Sequence, residues 1–230
     1  YTIKDGLANN TVWTSFMEKN GTLWFGTSQG LSRFDGKHFV SYTAQDGLLA
    51  PEKVTSIFQD SRGTVWFGSI KGVSCLNYDI KKPGKISFSN YGEEQGFRGE
   101  NVRSIFEDKK GNLWFGTNNG LICFNGTTFS CHADEEGLSD NTVYAIAADH
   151  KDNLWLGTRD GLCFYDGKKF SVVKLGKEYS DNFINFLLID QAKNLWVGTN
   201  NGIYELNIPA FYTGKNIQTT HYTTWEGVKS

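Results

Sequence analysis

Apolar and β-branched residues along this chain come in short runs, separated by polar strings rich in Gly, Asn and Asp. Residues 101–133 show the rhythm. "NVRSIFED" (101–108) reads as a strand, and "DKKG" (108–111) as a turn in which Asp bonds its own backbone and Gly tolerates positive φ. "NLWFGT" (112–117) is a second strand, "NNG" (118–120) a tight turn and "LICFN" (121–125) a third strand. "NGT" (125–127) is a strong hairpin turn, and "TFSCHA" (128–133) completes the unit. We name these predicted strands A to D. No stretch of the unit has helical periodicity.

The unit recurs five times. Its tryptophans are Trp24, Trp66, Trp114, Trp155 and Trp196, separated by 42, 48, 41 and 41 residues. Six residues before each comes an acid: Glu18, Asp60, Asp108, Asp149 and Asp190. Six before each acid comes a β-branched marker of strand A: Val12, Val54, Val102, Val143 and Ile184. A fixed period of this length means an array of one supersecondary unit, and four antiparallel strands per repeat is the pattern of a propeller blade. The expected fold is therefore an all-β propeller. Its blades cover about 8–43, 50–92, 100–133, 141–174 and 182–223 of a single domain or segment spanning 1–230. One four-stranded sheet cannot bury either face alone. The Trp is read as a wedge between successive blades, worth about 4–6 kcal/mol of gross burial, and the Gly two residues on as room for the neighbouring sheet. The motif is packing, not a site.

Composition narrows the function. With 23 Lys and Arg against 25 Asp and Glu, the net charge of −2 gives no general reason to bind nucleic acid. No apolar run approaches the ~18 residues of a membrane helix, so no direct membrane insertion is expected. Gly is abundant at 26, and aromatics reach 15%. The cysteines (Cys75, Cys123, Cys131, Cys163) show neither C-x-x-C nor zinc spacing and read as free thiols, although Cys123 and Cys131 could face each other across a hairpin. No calcium-type carboxylate loop is present. Neither metal nor cofactor is expected.

The first unit, "GTLWFGTSQGLSRFDGKHFVSYTAQDGL" (21–48), closely resembles the two-component regulator propeller repeat, marked by G-x-L-W-F/V-G-T, G-L-x-R-F-D, F-x-x-Y-T and D-G-L. The resemblance covers essentially the whole chain. It implies a sensor ectodomain of a bacterial hybrid two-component system, lying in the periplasm and sensing an oligosaccharide, with any kinase activity in other domains. It also implies an array longer than five blades, for example seven, and a possible homodimer through the parent receptor. Three departures stand out. Asp152 and Lys193 replace a turn Gly; "LGKEYSDN" (175–182) lacks D-G-L; "NYDIKKPGK" (77–85) and "NIPAFYTGKN" (207–216) lengthen two C–D connections. The chain opens "YTIKDGL" and closes "YTTWEGV" (222–228), the same phase of the repeat. That phase suggests a stretch of a longer array, with a closed five-bladed ring as the alternative.

Because strands alternate in direction, D–A and B–C connections share one face of a propeller, and A–B and C–D turns the other. The second set is short and stereotyped. The first varies, and variable loops on a rigid scaffold carry recognition. Two residues before each strand A marker stand Asn10, Glu52, Glu100, Asn141 and Asn182. One residue past it stand Trp13, Thr55, Arg103, Tyr144 and Asn185, and the B–C turns add Gln29, Lys71, Asn118, Arg159 and Asn200. Aromatic platforms ringed by amides and a guanidinium suit a sugar. The competing reading is that the Asn and Glu side chains cap turns and that Trp13 or Tyr144 packs between blades. Glu52 and Glu100 are the one pair for an alternative reading as a glycosidase or lyase; a structural or protein-binding propeller is the other alternative.

Overall fold

The computed structural model describes residues 1–78, 86–133, 137–214 and 219–223. Residues 79–85 of one lengthened connection, 215–216 of the other, and 224–228 of the closing string lie outside them.

Five four-stranded antiparallel sheets follow in chain order. Blade 1 is β1 (Val12–Met17), β2 (Leu23–Thr27), β3 (Gly30–Phe34) and β4 (Phe39–Tyr42). Blade 2 is β5 (Val54–Gln59), β6 (Val65–Ser69), β7 (Gly72–Tyr78) and β8 (Ile86–Tyr91). Blade 3 is β9 (Ser104–Glu107), β10 (Leu113–Thr117), β11 (Gly120–Phe124) and β12 (Phe129–His132). Blade 4 is β13 (Val143–Ala148), β14 (Leu154–Thr158), β15 (Gly161–Tyr165) and β16 (Phe170–Val173). Blade 5 is β17 (Ile184–Ile189), β18 (Asn194–Thr199), β19 (Gly202–Asn207) and β20 (Thr219–Tyr222). Each sheet is a meander, its strands paired in sequence order. The chain forms two compact units, Tyr1–Asn118 with Ile122–Cys131, and Asn119–Leu121 with His132–Ser230.

Within the first unit, Trp24 is fully buried, its ring 5.1 Å from Phe67 of the next blade. Trp66 packs in the same way, 6.1 Å from Phe115. In the second, Trp155 joins Ile184, Leu195 and Val197 of blade 5 in one buried cluster. The wedge reading therefore holds in each unit. The glycine two residues beyond each Trp has a more definite partner than the sequence suggested. A Cβ on Gly26 would lie 2.7 Å from the Val54 carbonyl oxygen, one on Gly68 2.7 Å from Val102 Cγ1, and one on Gly157 2.5 Å from Ile184 Cγ2. These partners are strand A markers, so the β-branched residue of blades 2, 3 and 5 seats on the bare backbone of the blade before it.

The spacing of acid and Trp also acquires a cause. The indole Nε1 donates to the acid in every blade: to Glu18 at 2.6 Å, Asp60 at 3.0 Å, Asp108 at 2.9 Å, Asp149 at 3.2 Å and Asp190 at 2.9 Å. In blades 2 to 4 the other carboxylate oxygen closes the A–B turn, as Asp60 Oδ1 does by accepting from the amides of Arg62 and Thr64. Glu18 reaches its Trp with a longer side chain, and Asn20 Oδ1 takes over the turn by accepting from Thr22. Asp152 and Lys193 adopt the left-handed backbone, each at φ 67°, that glycine supplies in the other copies.

The D-G-L element is a 3₁₀ turn. Thr2 and Thr43 each begin a capping box closed by Asp5 and Asp46, left-handed Gly6 and Gly47 end it, and Leu7 and Leu48 turn inward and are buried. Where D-G-L is missing, α1 (Tyr179–Asn182) forms instead. A second helix, α2 (Ile208–Tyr212), occupies the long C–D connection of blade 5. The strand-and-turn reading missed it, although Asn207 accepts from the Ala210 amide at 2.8 Å and Pro209 sits in its first turn. It carries Phe211 to 4.9 Å from Trp155, and the Tyr212 hydroxyl donates to Asp149. The cysteines are thiols rather than disulfides: Cys75 and Cys163 are buried, Cys123 is half-buried and Cys131 exposed. Burial pushes the Cys123 thiol up to about 11, which keeps it unreactive.

Candidate functional site

The start of strand A is irregular in a repeated way. In blade 1, Val12 pairs with Thr27 and Thr14 with Gly26, so Trp13 is an extra, bulged residue. Thr55, Tyr144 and Asn185 occupy the same bulge in blades 2, 4 and 5. In blade 3, Arg103 stands at this place, its amide donating to the Gly116 carbonyl at 2.8 Å. A bulge bends the strand and re-aims one side chain. Blades 1, 2, 4 and 5 thus present, at their D–A/B–C ends, one bulged residue each.

Three of these residues reach a side chain in their own B–C turn, fifteen positions on. Trp13 Nε1 donates to Ser28 Oγ at 2.9 Å, Arg103 Nε to Asn118 Oδ1 at 2.7 Å, and Asn185 Nδ2 to Asn200 Oδ1 at 2.8 Å. In blade 1 the partner is Ser28, the residue before Gln29. Thr55 turns instead to the Val102 carbonyl at 2.6 Å.

Trp13 does not pack between blades: half of its surface is exposed, and Lys53 Nζ lies 4.2 Å above its ring. Lys53 was absent from the sequence-based set, although it neighbours Glu52. Asn10 is committed to a turn, its Oδ1 accepting from the Ile3 amide at 2.9 Å. Glu52, Lys71 and Glu100 are exposed, and the Glu100 carbonyl accepts from the Asn118 amide at 2.8 Å. The first unit therefore gathers Trp13, Ser28 and Lys53 at one place and Arg103 with Asn118 at another.

In the second unit, the Tyr144 ring lies 5.1 Å from Phe183, the Arg159 amide donates to the Thr142 carbonyl at 3.1 Å, and the Asn141 carbonyl accepts from Gly120 at 2.7 Å. Asn182 lines a cleft of about 380 Å³ with Ser139, Asp160, Val172, Lys174 and Lys177. Of these six, only Asn182 was named from sequence. The signal for the rest was the missing D-G-L element at 175–182. At the neighbouring Asp181, burial alone would raise the pKa, but hydrogen bonds from Asn201, the Glu178 amide and Tyr204 outweigh it and hold the carboxyl below its usual value.

Comparison with known proteins agrees with this architecture. No curated protein matches the sequence. Among solved structures, the extracellular domain of a one component system from B. thetaiotaomicron superposes with a TM-score of 0.73 at 21% identity, covering 96% of this chain and 31% of that one. The extracellular domain of a hybrid two component system from the same organism gives 0.57 at 20% identity, covering 96% and 36%. A catalytically inactive virginiamycin B lyase from Staphylococcus aureus, solved with quinupristin, gives 0.72 at 18% identity, covering 97% and 73%. The chain spans about a third of the length of the two extracellular domains. At these identities the likeness establishes the propeller fold. The family description "Two component regulator propeller" matches residues 6–29, 48–71, 96–119, 137–160 and 178–201, one segment per blade. With a match in every blade, this chain belongs to the two component regulator propeller family.

Proposed function

We propose that this chain is a non-catalytic, ligand-sensing propeller module from the periplasmic side of a bacterial two-component receptor, and that it recognises a glycan or similarly polar small molecule at the D–A/B–C ends of its blades. One observation carries the reading. A bulge at the same position in blades 1, 2, 4 and 5 displays a different side chain in each, among them a half-exposed Trp whose indole N–H is anchored by Ser28 and whose ring bears an ammonium. An exposed aromatic face beside hydrogen-bonding groups matches the apolar C–H face and hydroxyl edge of a sugar. The family supports the signalling context, and the two extracellular domains of similar fold support a location outside the cytoplasm.

Thermal unfolding against an oligosaccharide panel tests this reading. A ligand at a hundred times its dissociation constant adds about 2.7 kcal/mol, a rise of about 5–10 °C for a chain of this size. No shift with any oligosaccharide contradicts it. The similarity to a lyase makes turnover the second assay: reducing-sugar release that Glu52→Gln abolishes would overturn the non-catalytic reading.

A further inference from the structure

We propose that the cleft in the second unit binds an acidic saccharide, taking the carboxylate of a uronic acid or a sulfate ester between Lys174 and Lys177. The proposal rests on the glycan reading above and names the ligand class for one of its subsites. Ser139 comes from the connection before β13, Asp160 from the turn between β14 and β15, Val172 and Lys174 from the end of β16, and Lys177 and Asn182 from the connection into β17. Every wall belongs to the D–A/B–C ends of blades 4 and 5.

The lysines supply the charge selectivity. Both are exposed, and neither has an ion-pair partner among the described residues. Two exposed ammoniums three positions apart on one segment hold an anion better than a neutral hydroxyl. The other groups suit the ring that carries the anion. Asn182 Nδ2 donates to the Glu178 carbonyl at 3.0 Å and to Gly176 at 3.5 Å, which fixes the amide's orientation. Its Oδ1 is buried with no hydrogen-bond partner among the described residues, so the amide lines the cleft in a fixed orientation. Asp160 is exposed and accepts hydroxyl protons, and Ser139 Oγ, 2.8 Å from Thr158 Oγ1, remains able to accept another bond. Val172, with nearly half its surface exposed, provides an apolar wall for C–H groups.

Asp181, next to Asn182 in the chain, is buried and accepts from Asn201 Nδ2 at 2.7 Å and from the Glu178 amide at 3.0 Å, and a Cβ on Gly176 would lie 2.1 Å from its Oδ2. The D–A connections into blades 1 and 2 are built differently: Leu7 and Leu48 point inward, and the amides of Ala8 and Leu49 donate to Ser32 and Ser74. The connection at 175–182 has neither feature in its sequence.

Calorimetric titration of the full chain tests the proposal, using oligogalacturonate, a sulfated oligosaccharide, a neutral gluco-oligosaccharide of equal length and sodium sulfate alone. At least one acidic oligosaccharide should bind about tenfold or more tightly than the neutral one, and Lys174→Ala with Lys177→Ala should remove that advantage. Both lysines are exposed, so the variant keeps its fold. Equal affinity for neutral and acidic oligosaccharides, or no change in the lysine variant, overturns the cleft. If Trp13→Ala then still weakens binding, the general glycan reading survives. Sulfate alone binding as tightly as the sulfated sugar overturns the saccharide part, and binding by no oligosaccharide overturns both readings.

Discussion

Two tryptophans of blade 1 stand eleven residues apart and have opposite surroundings. Trp24 is wholly buried, bonded to Glu18 and packed on Phe67 of the next blade. Trp13 is half-exposed on a bulge, bonded to Ser28 and topped by Lys53. The contrast extends to the two ends of every blade. At the A–B end the same acid–indole bond recurs five times. At the D–A/B–C end the residue after the strand A marker is Trp, Thr, Arg, Tyr and Asn in turn. Repetition marks what the fold requires; variation at one backbone position marks where the fold leaves chemistry free for another use.

The largest expected effect comes from the buried side of this contrast. Trp24→Ala should cost about 3–5 kcal/mol in urea unfolding, whereas Trp13→Ala should cost less than about 0.5 kcal/mol. Equal costs would break the distinction. Next comes Gly68→Ala, whose Cβ would sit 2.2 Å from Ser56 Oγ and 2.8 Å from Val102 Cβ, against a sheet that cannot retreat. A loss of about 1–3 kcal/mol is expected, while Gly36→Ala, with nothing within 4 Å at a φ of 98°, should cost only its backbone strain, about 1 kcal/mol.

Acid titration gives a smaller effect at the same end. The Trp196 indole, followed by the Asn194 amide, holds the Asp190 carboxyl below its ordinary value. For Asp108, burial pushes the other way, but Trp114 and Asn112 outweigh it. A depressed folded pKa gives stability that is present above the unfolded Asp value of about 3.9 and is lost as pH falls through the folded value. Unfolding monitored by tryptophan fluorescence should therefore become easier below about pH 4, and Asp190→Asn should flatten that dependence. The smallest effect is expected at Lys193, whose φ of 67° suits glycine. Lys193→Gly should raise the unfolding free energy by at most about 1 kcal/mol, the relieved left-handed strain being offset by greater chain entropy.

The fold was legible because the wedge, the marker and the acid each occupy a fixed phase that a single chain displays five times. Sequence showed the acid six residues before each Trp but not the indole bond that explains it. The proposed recognition end was legible only in part. Turn composition alone does not say which B–C turn residue faces strand A: in blade 1 it is Ser28 that bonds Trp13. Lys53 was missed because only the fold brings its ammonium over Trp13. The cleft was missed because three separate connections build it. Helix α2 was missed because five residues are too few to show a helical period, although its Asn cap and early Pro were in view.

The most direct test of the account is calorimetric titration of Trp13→Ala with whichever oligosaccharide most stabilises the unsubstituted chain. The account predicts an affinity at least about tenfold weaker, the loss of a buried aromatic contact, in a protein whose ligand-free unfolding is unchanged. Unchanged affinity, or a ligand-free protein destabilised as severely as Trp24→Ala, would contradict it.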